Sequence, residues 1–215
     1  MIITKQKKID ELLKMMDRQR SVFIVGCGEC ATTCRTGGEK EVAEMSLKLA
    51  ENGKIVTGSV VINAPCLELD TRRVLRQNKD LVDKTETILV LACGAGVQAV
   101  AEAVDCSVYP GCDSLFLGNV FRHQHFYEKC STCGECVIGS YGGICPVTRC
   151  SKSLLNGPCG GSVKGMCEVD NKKECIWIAI YDRMKKSNSL DKLAKVLPAK
   201  NHGAGTSPGR VINGV

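Results

Sequence analysis

The sequence predicts an α/β protein: a small parallel-sheet, Rossmann-like domain followed by an irregular cysteine-rich domain that holds metal clusters. Three observations carry this. Apolar runs of strand length alternate with helix-periodic segments through residues 1–119. Fifteen cysteines are present, and eight of them lie between Phe121 and Cys175, where periodicity fades and glycine is frequent. In the first half, cysteines recur just past the predicted strand ends. The expected divisions are 1–119 for the α/β domain, 120–185 for a ferredoxin-like cysteine-rich domain with a closing helix, and 186–215 for a polar tail.

Residues 5–19 read as an amphipathic helix, with Ile9, Leu12, Leu13 and Met16 on one face. Ser21–Val25 reads as a buried strand that ends in the tight turn Gly26-Cys27-Gly28. A helix is expected from about Glu39 to Asn52, with Gly53 as its stop. Ile55–Ile62 is a second strand and runs into Asn63-Ala64-Pro65-Cys66. A polar helix from about Asp70 to Asp83 leads to a third strand, Ile88–Ala92, ending at Cys93-Gly94. Val97–Val104 is again helical, and Val108-Tyr109 begins a short fourth strand ending near Cys112. The strands lack alternation, as expected for a sheet covered on both faces. Cys27, Cys66, Cys93 and Cys112 would then meet at one edge, where open α/β sheets bind ligands. Further on, Cys175–Met184 reads as the closing helix, Leu190–Val196 as a short helix and the remainder as a flexible tail.

Composition narrows the chemistry. No apolar run is long enough to span a bilayer. The first twenty residues lack a continuous apolar core and a small-residue cleavage site, so a cytoplasmic, reducing setting is expected. There, fifteen thiols argue for metal and against disulfides. The net charge is +6, but the lysines are scattered and aromatics make up only 4%. That combination argues against nucleic-acid binding, which needs stacking surfaces.

Three motifs carry chemistry. Cys130-Ser-Thr-Cys133-Gly-Glu-Cys136, followed by Cys145-Pro146, repeats the C-x₂-C-x₂-C…C-P order of bacterial ferredoxins with a longer last gap. In the parent motif the fourth cysteine serves another cluster. By that logic Cys130, Cys133 and Cys136 form one set, and Cys145 joins Cys150, Cys159, Cys167 and Cys175 in a second. Iron–sulfur is the favoured reading of the first set, while the second fits a cluster or zinc equally well. The second motif, Cys27-Gly28-Glu-Cys30 with Cys34, places three thiols on one loop, and Cys66 or Cys93 is positioned to complete a site. Gly28 allows backbone amides to approach sulfur. A redox-active C-x₂-C pair is the competing reading. The third motif, Gly94-Ala-Gly96-Val-Gln-Ala99 after a strand, satisfies the dinucleotide fingerprint, with Asp113 as a ribose ligand, but it follows the third strand and not the first. His123 and His125 read as a polar loop, His202 as solvated, and Trp177 and Tyr181 as core.

The run from Cys145 through Cys150, Gly157-Pro-Cys159-Gly-Gly161 and Gly165-Met-Cys167-Glu-Val169 resembles the methylene-tetrahydrofolate reductase C-terminal family. So do Gly26-Cys27-Gly-Glu-Cys30 with Cys34 and Gly37-Gly38, and Leu91-Ala-Cys93-Gly-Ala-Gly-Val97. The resemblance extends over roughly residues 20–185; Cys106 and Cys112 are less typical of it. It implies the small iron–sulfur subunit of the two-subunit reductases of acetogenic and related anaerobes. Two or three [4Fe-4S] clusters are implied, with zinc possible in place of one. The implied partner is a (β/α)₈ subunit whose FMN or FAD reduces 5,10-methylene-tetrahydrofolate to 5-methyl-tetrahydrofolate. The implied donor is ferredoxin or a larger redox complex. A (β/α)₈ barrel takes about 250 residues, so this chain cannot be the folate-reducing subunit, and no catalytic residue is expected in it. Two other classes compete: a zinc-stapled scaffold for the flavin subunit, and a self-contained oxidoreductase with a dinucleotide at Gly94 and Gly96.

Overall fold

The computed structural model describes residues 1–205, 208–209 and 211. The chain forms two compact units, Met1–Phe126 and Tyr127–Val215.

The first unit is built on a four-stranded parallel sheet. Its strands are β2 (Ser21–Cys27), β3 (Ile55–Ile62), β4 (Thr87–Leu91) and β5 (Ser107–Pro110), in the order β3-β2-β4-β5. Successive side chains of β2 and β4 enter opposite cores. Val22, Ile24, Leu89 and Leu91 pack with Val42, Met45 and Leu49 of α3 (Glu39–Glu51) and with Leu12 and Met16 of α1 (Ile9–Met15). Phe23, Val25, Ile88 and Val90 pack with Leu75 of α4 (Glu68–Gln77) and Val100 of α6 (Gly94–Ala101). A short helix α5 (Lys79–Val82) follows α4. Both sheet faces are therefore covered, which explains the unbroken apolar strands. Strand order reverses between β2 and β4, and the carboxyl ends at that crevice carry Cys27 and Cys93.

The chain start differs from the expected helix over 5–19. Ile2–Gln6 is a strand, β1, and the helix begins only at Ile9, with Lys8 as its N-cap. The β-branched Ile2-Ile3-Thr4 prefers an extended backbone, and β1 pairs antiparallel with β6 (Cys112–Arg122). With β7 (His125–Cys130), these strands form a second sheet of order β1-β6-β7 that the sequence reading did not contain. The turn joining β6 to β7 holds His123 and Gln124, the latter left-handed at φ 63°.

The second unit has little regular structure. Its core is Tyr141, Ile176, Trp177, Ile180 and Met184, four of them from α8 (Ile176–Lys186). Tyr141 meets Trp177 edge-on, ring centroids 5.4 Å apart at 84°, and its hydroxyl donates to Leu155 O at 2.7 Å. A one-turn helix α7 (Pro146–Arg149) and three 3₁₀ turns, Ile138–Tyr141, Leu190–Ala194 and His202–Gly205, complete its regular structure among the described residues. So small a core calls for a further staple. The expected tail is partly structured: the Asn156 side chain donates to Leu197 O and accepts from Leu197 N. Residues 206–207, 210 and 212–215 of that tail lie outside the described residues. Among the described residues, no helix is long and apolar enough to cross a membrane.

Candidate metal centres

In the first unit, the loop after β2 is held backbone to backbone. Cys27 N donates to Gly37 O and Gly28 N to Ile62 O, both at 2.8 Å. A side chain at Gly37 would overlap the Leu91 carbonyl. Thr36 organises the buried floor: its hydroxyl lies 2.6 Å from that of Thr4, and its carbonyl accepts from Gln6 Nε2 and from the Cys112 thiol. Cys30 opens and Cys34 closes the short helix α2 (Cys30–Cys34). Cys27 lies within electrostatic reach of Cys30 and Cys93, and Cys112 within reach of Cys34 and Cys27. Burial raises the thiol pKa of Cys27 and Cys106, and carries that of Cys112 up to about 12. Cys66 is exposed on the loop between β3 and α4.

The dinucleotide-like glycines are differently placed than the fingerprint requires. Gly94 and Gly96 lie inside α6 itself, whose N-cap is Cys93. Gly94 N is taken by Ser114 Oγ at 3.0 Å, and Gly96 packs against Pro65 and Ala92. Asp113 lies on β6, paired with Lys7 Nζ at 2.7 Å. The motif thus opens α6 and packs its first turn against Pro65, Ala92 and Ser114.

In the second unit, the Cys130–Cys136 loop winds through two left-handed residues, Thr132 (φ 53°) and Gly134 (φ 77°). Thr132 N donates to Cys130 Sγ at 3.3 Å. Residues 200–205 cover the loop: Lys200 Nζ donates to Glu135 O, Asn201 N donates to Glu135 Oε2 at 3.0 Å, and a side chain on Gly134 would strike Ala204. Burial alone would raise the Cys133 thiol pKa, but the Lys200 ammonium and the backbone at Glu135 hold it below its ordinary value.

Cys145 is the N-cap of α7, with Pro146 in the first turn and Thr148 N donating to its sulfur at 3.4 Å. Thr148 Oγ1 donates in turn to Ser131 Oγ at 3.1 Å, which ties Cys145 to the Cys130 loop. Cys150, Cys159, Cys167 and Cys175 instead line one cavity, together with Trp177, and Cys145 is not among its walls. A tight turn at Lys164-Gly165 places two of these sulfurs: Cys167 N donates to Lys173 O and Cys175 N to Gly165 O. Cys175 is the N-cap of α8. The Cys167 sulfur lies 3.6 Å from Ser151 Oγ, beside Cys150. The Ser151 hydroxyl and the backbone at Val169 and Asp170 hold the Cys167 pKa down.

The cavity volume is about 30 Å³. Among the described residues, no three His, Cys, Asp or Glu side chains stand close enough to hold a single ion. A tetrahedral zinc with Zn–S of about 2.3 Å needs sulfurs about 3.8 Å apart. The donor set nevertheless suits metal: four cysteines line one cavity, and Trp177, which also lines it, has a buried indole Nε1 with no protein partner among the described residues. Sequence pattern marks Trp177 as core and not as a donor, and does not single out Thr148, Ser131 or Lys200. Only Thr148 had a legible signal, as the third residue after a cysteine that precedes proline. No curated protein and no solved structure matches the chain. Residues 109–203, which include all eight cysteines from Cys130 to Cys175, match the family described as methylene-tetrahydrofolate reductase C terminal.

Proposed function

We propose that this chain is the iron–sulfur subunit of a two-subunit methylene-tetrahydrofolate reductase, working in the cytoplasm and not acting on folate itself. The observation that carries it is the sorting of eight cysteines in the family-matched segment. Four line one cavity, and Cys145 is tied instead to the loop of Cys130, Cys133 and Cys136. That sorting supports two four-thiolate sets, 130/133/136/145 and 150/159/167/175. Clusters bound there would take up electrons singly from ferredoxin or a larger complex and supply them to the flavin of a (β/α)₈ partner. The chain's own part is to donate backbone N–H groups to sulfur at Cys130 and Cys145 and to seat Cys145 and Cys175 at helix N-termini. A third site, at the strand-order reversal, would draw on Cys27, Cys30 and Cys93, with Cys34 or Cys66.

A zinc staple in the second set is the other reading, favoured by the small size of the cavity that Cys150, Cys159, Cys167 and Cys175 line. Anaerobic iron, zinc and sulfide analysis, with visible spectra before and after dithionite, separates the two. About eight to twelve iron per chain and a bleachable band are expected. Zinc alone, with no reducible chromophore, would overturn the relay. So would donor-driven reduction of the partner's flavin that proceeds equally well without this chain.

A further inference from the structure

Trp177 is the only tryptophan in the chain. It is 6% exposed, and among the described residues its Nε1 has no hydrogen-bond acceptor. Buried donors are nearly always paired, and a buried indole N–H usually finds an acceptor. The ring has little freedom to seek one in solvent. It sits in the first turn of α8, two residues after Cys175, packed in the small core and held edge-on by Tyr141, which is itself fixed to Leu155 O. Trp177 is also among the residues that line the cavity of Cys150, Cys159, Cys167 and Cys175. An orphaned donor and four thiols around one space are complementary: a metal-bound thiolate, or the sulfide of a cluster, is an anionic acceptor.

We infer that the Trp177 indole N–H donates a hydrogen bond to a sulfur of the metal centre held by Cys150, Cys159, Cys167 and Cys175. This rests on the assignment of that cavity to metal. Trp177 is then a positioning residue with two effects. It fixes the orientation of the centre against α8. It also withdraws electron density from sulfur, which favours the reduced state of a cluster and raises its potential. Aromatic area alone would account for the ring's place in the core, but not for leaving the one polar atom of a cavity-lining side chain unpaired.

The test uses the full chain, purified anaerobically with its metals, and compares it with Trp177→Phe, which keeps an aromatic ring and removes the donor. Iron, zinc and sulfide per chain are measured, and midpoint potentials are followed by electron paramagnetic resonance. Unchanged iron and sulfide, with one centre shifted to a more negative midpoint, is the expected result. Unchanged metal with every midpoint unmoved would overturn the role of Trp177 and leave the relay standing. A second measurement needs no substitution and decides the matter if the variant does not fold. The hydrogen-bond-sensitive indole band of the single tryptophan is read by ultraviolet resonance Raman, in the metal-loaded and the chelated wild-type protein. A hydrogen-bonded indole that loses its partner on chelation supports the inference. A free indole in the loaded protein, or the same bonded state in both forms, overturns it. If the chain carries zinc and no iron, the relay fails, while the indole band still decides the hydrogen bond. If it carries no metal, both fail.

Discussion

Gly37 lies where the carbonyl of Leu91 passes closest to the cysteine loop, and its Cβ would occupy that oxygen's place. Gly37→Ala is therefore expected to push the loop off β4 and to cost on the order of 1–3 kcal/mol, the usual penalty of overpacking, as read from urea midpoints. Cys112 is a second residue whose behaviour follows from its surroundings. Burial lifts its thiol pKa from 9.0 to about 12, so the fold binds this proton more tightly than the unfolded chain does. Its contribution to stability is complete below about pH 9 and is lost as pH rises from there through about 12. Native protein alkylated at pH 8 should leave Cys112 unmodified in peptide maps, and urea-unfolded protein should label it. Modification of Cys112 in the native state at the rate of exposed Cys66 would contradict that burial. Sequence pattern placed Cys112 at a strand end, yet its hydrogen bond to Thr36 depends on β1, a strand formed only by pairing across more than a hundred residues.

Local pattern was enough for the elements whose own periodicity matched their fate. Strands β2, β3 and β4 are apolar because both faces of their sheet are covered, and α3 carries its stripe at Val42, Met45 and Leu49. The β6–β7 hairpin was not legible. Leu115 and Phe121 on β6 are exposed, so the strand shows no clean alternation, and its stability comes from partners on either side. The Cys130–Cys136 motif stands out in the sequence, but its cover does not, because nothing in residues 200–205 marks them as neighbours of Glu135. At this scale α8 is the element to test. Ile180 is fully buried in the second unit's core, and Ile180→Ala should cost about 2–5 kcal/mol. The loss should appear as earlier thermal unfolding and, if the Cys175 set holds metal as proposed, as faster removal of that metal by chelator. Metal release at the wild-type rate would separate α8 packing from the cysteine cavity.

The two units differ in charge as well as in architecture. Met1–Phe126 holds sixteen basic and sixteen acidic residues, and Tyr127–Val215 holds thirteen and seven, so the net +6 belongs to the cysteine-rich unit. Long-range attraction to an acidic electron carrier is therefore expected to act on that unit and to be screened by salt, since the Debye length shrinks from about 10 Å at 0.1 M to about 3 Å at 1 M. The rate of reduction by such a carrier should fall steeply between these ionic strengths, whereas reduction by dithionite should change little. Equal salt dependence for the two reductants would remove charge steering from the account. A last consequence concerns synthesis. Lys200 meets Glu135 across 65 residues of chain, so the Cys130–Cys136 loop leaves the ribosome bare, and its cover is made only afterwards. If these thiols bind metal as proposed, that order leaves an interval in which metal can reach them without displacing anything. A chain ending at Pro198 would keep the interval open, and should load as readily as the full chain but surrender that metal sooner to oxygen.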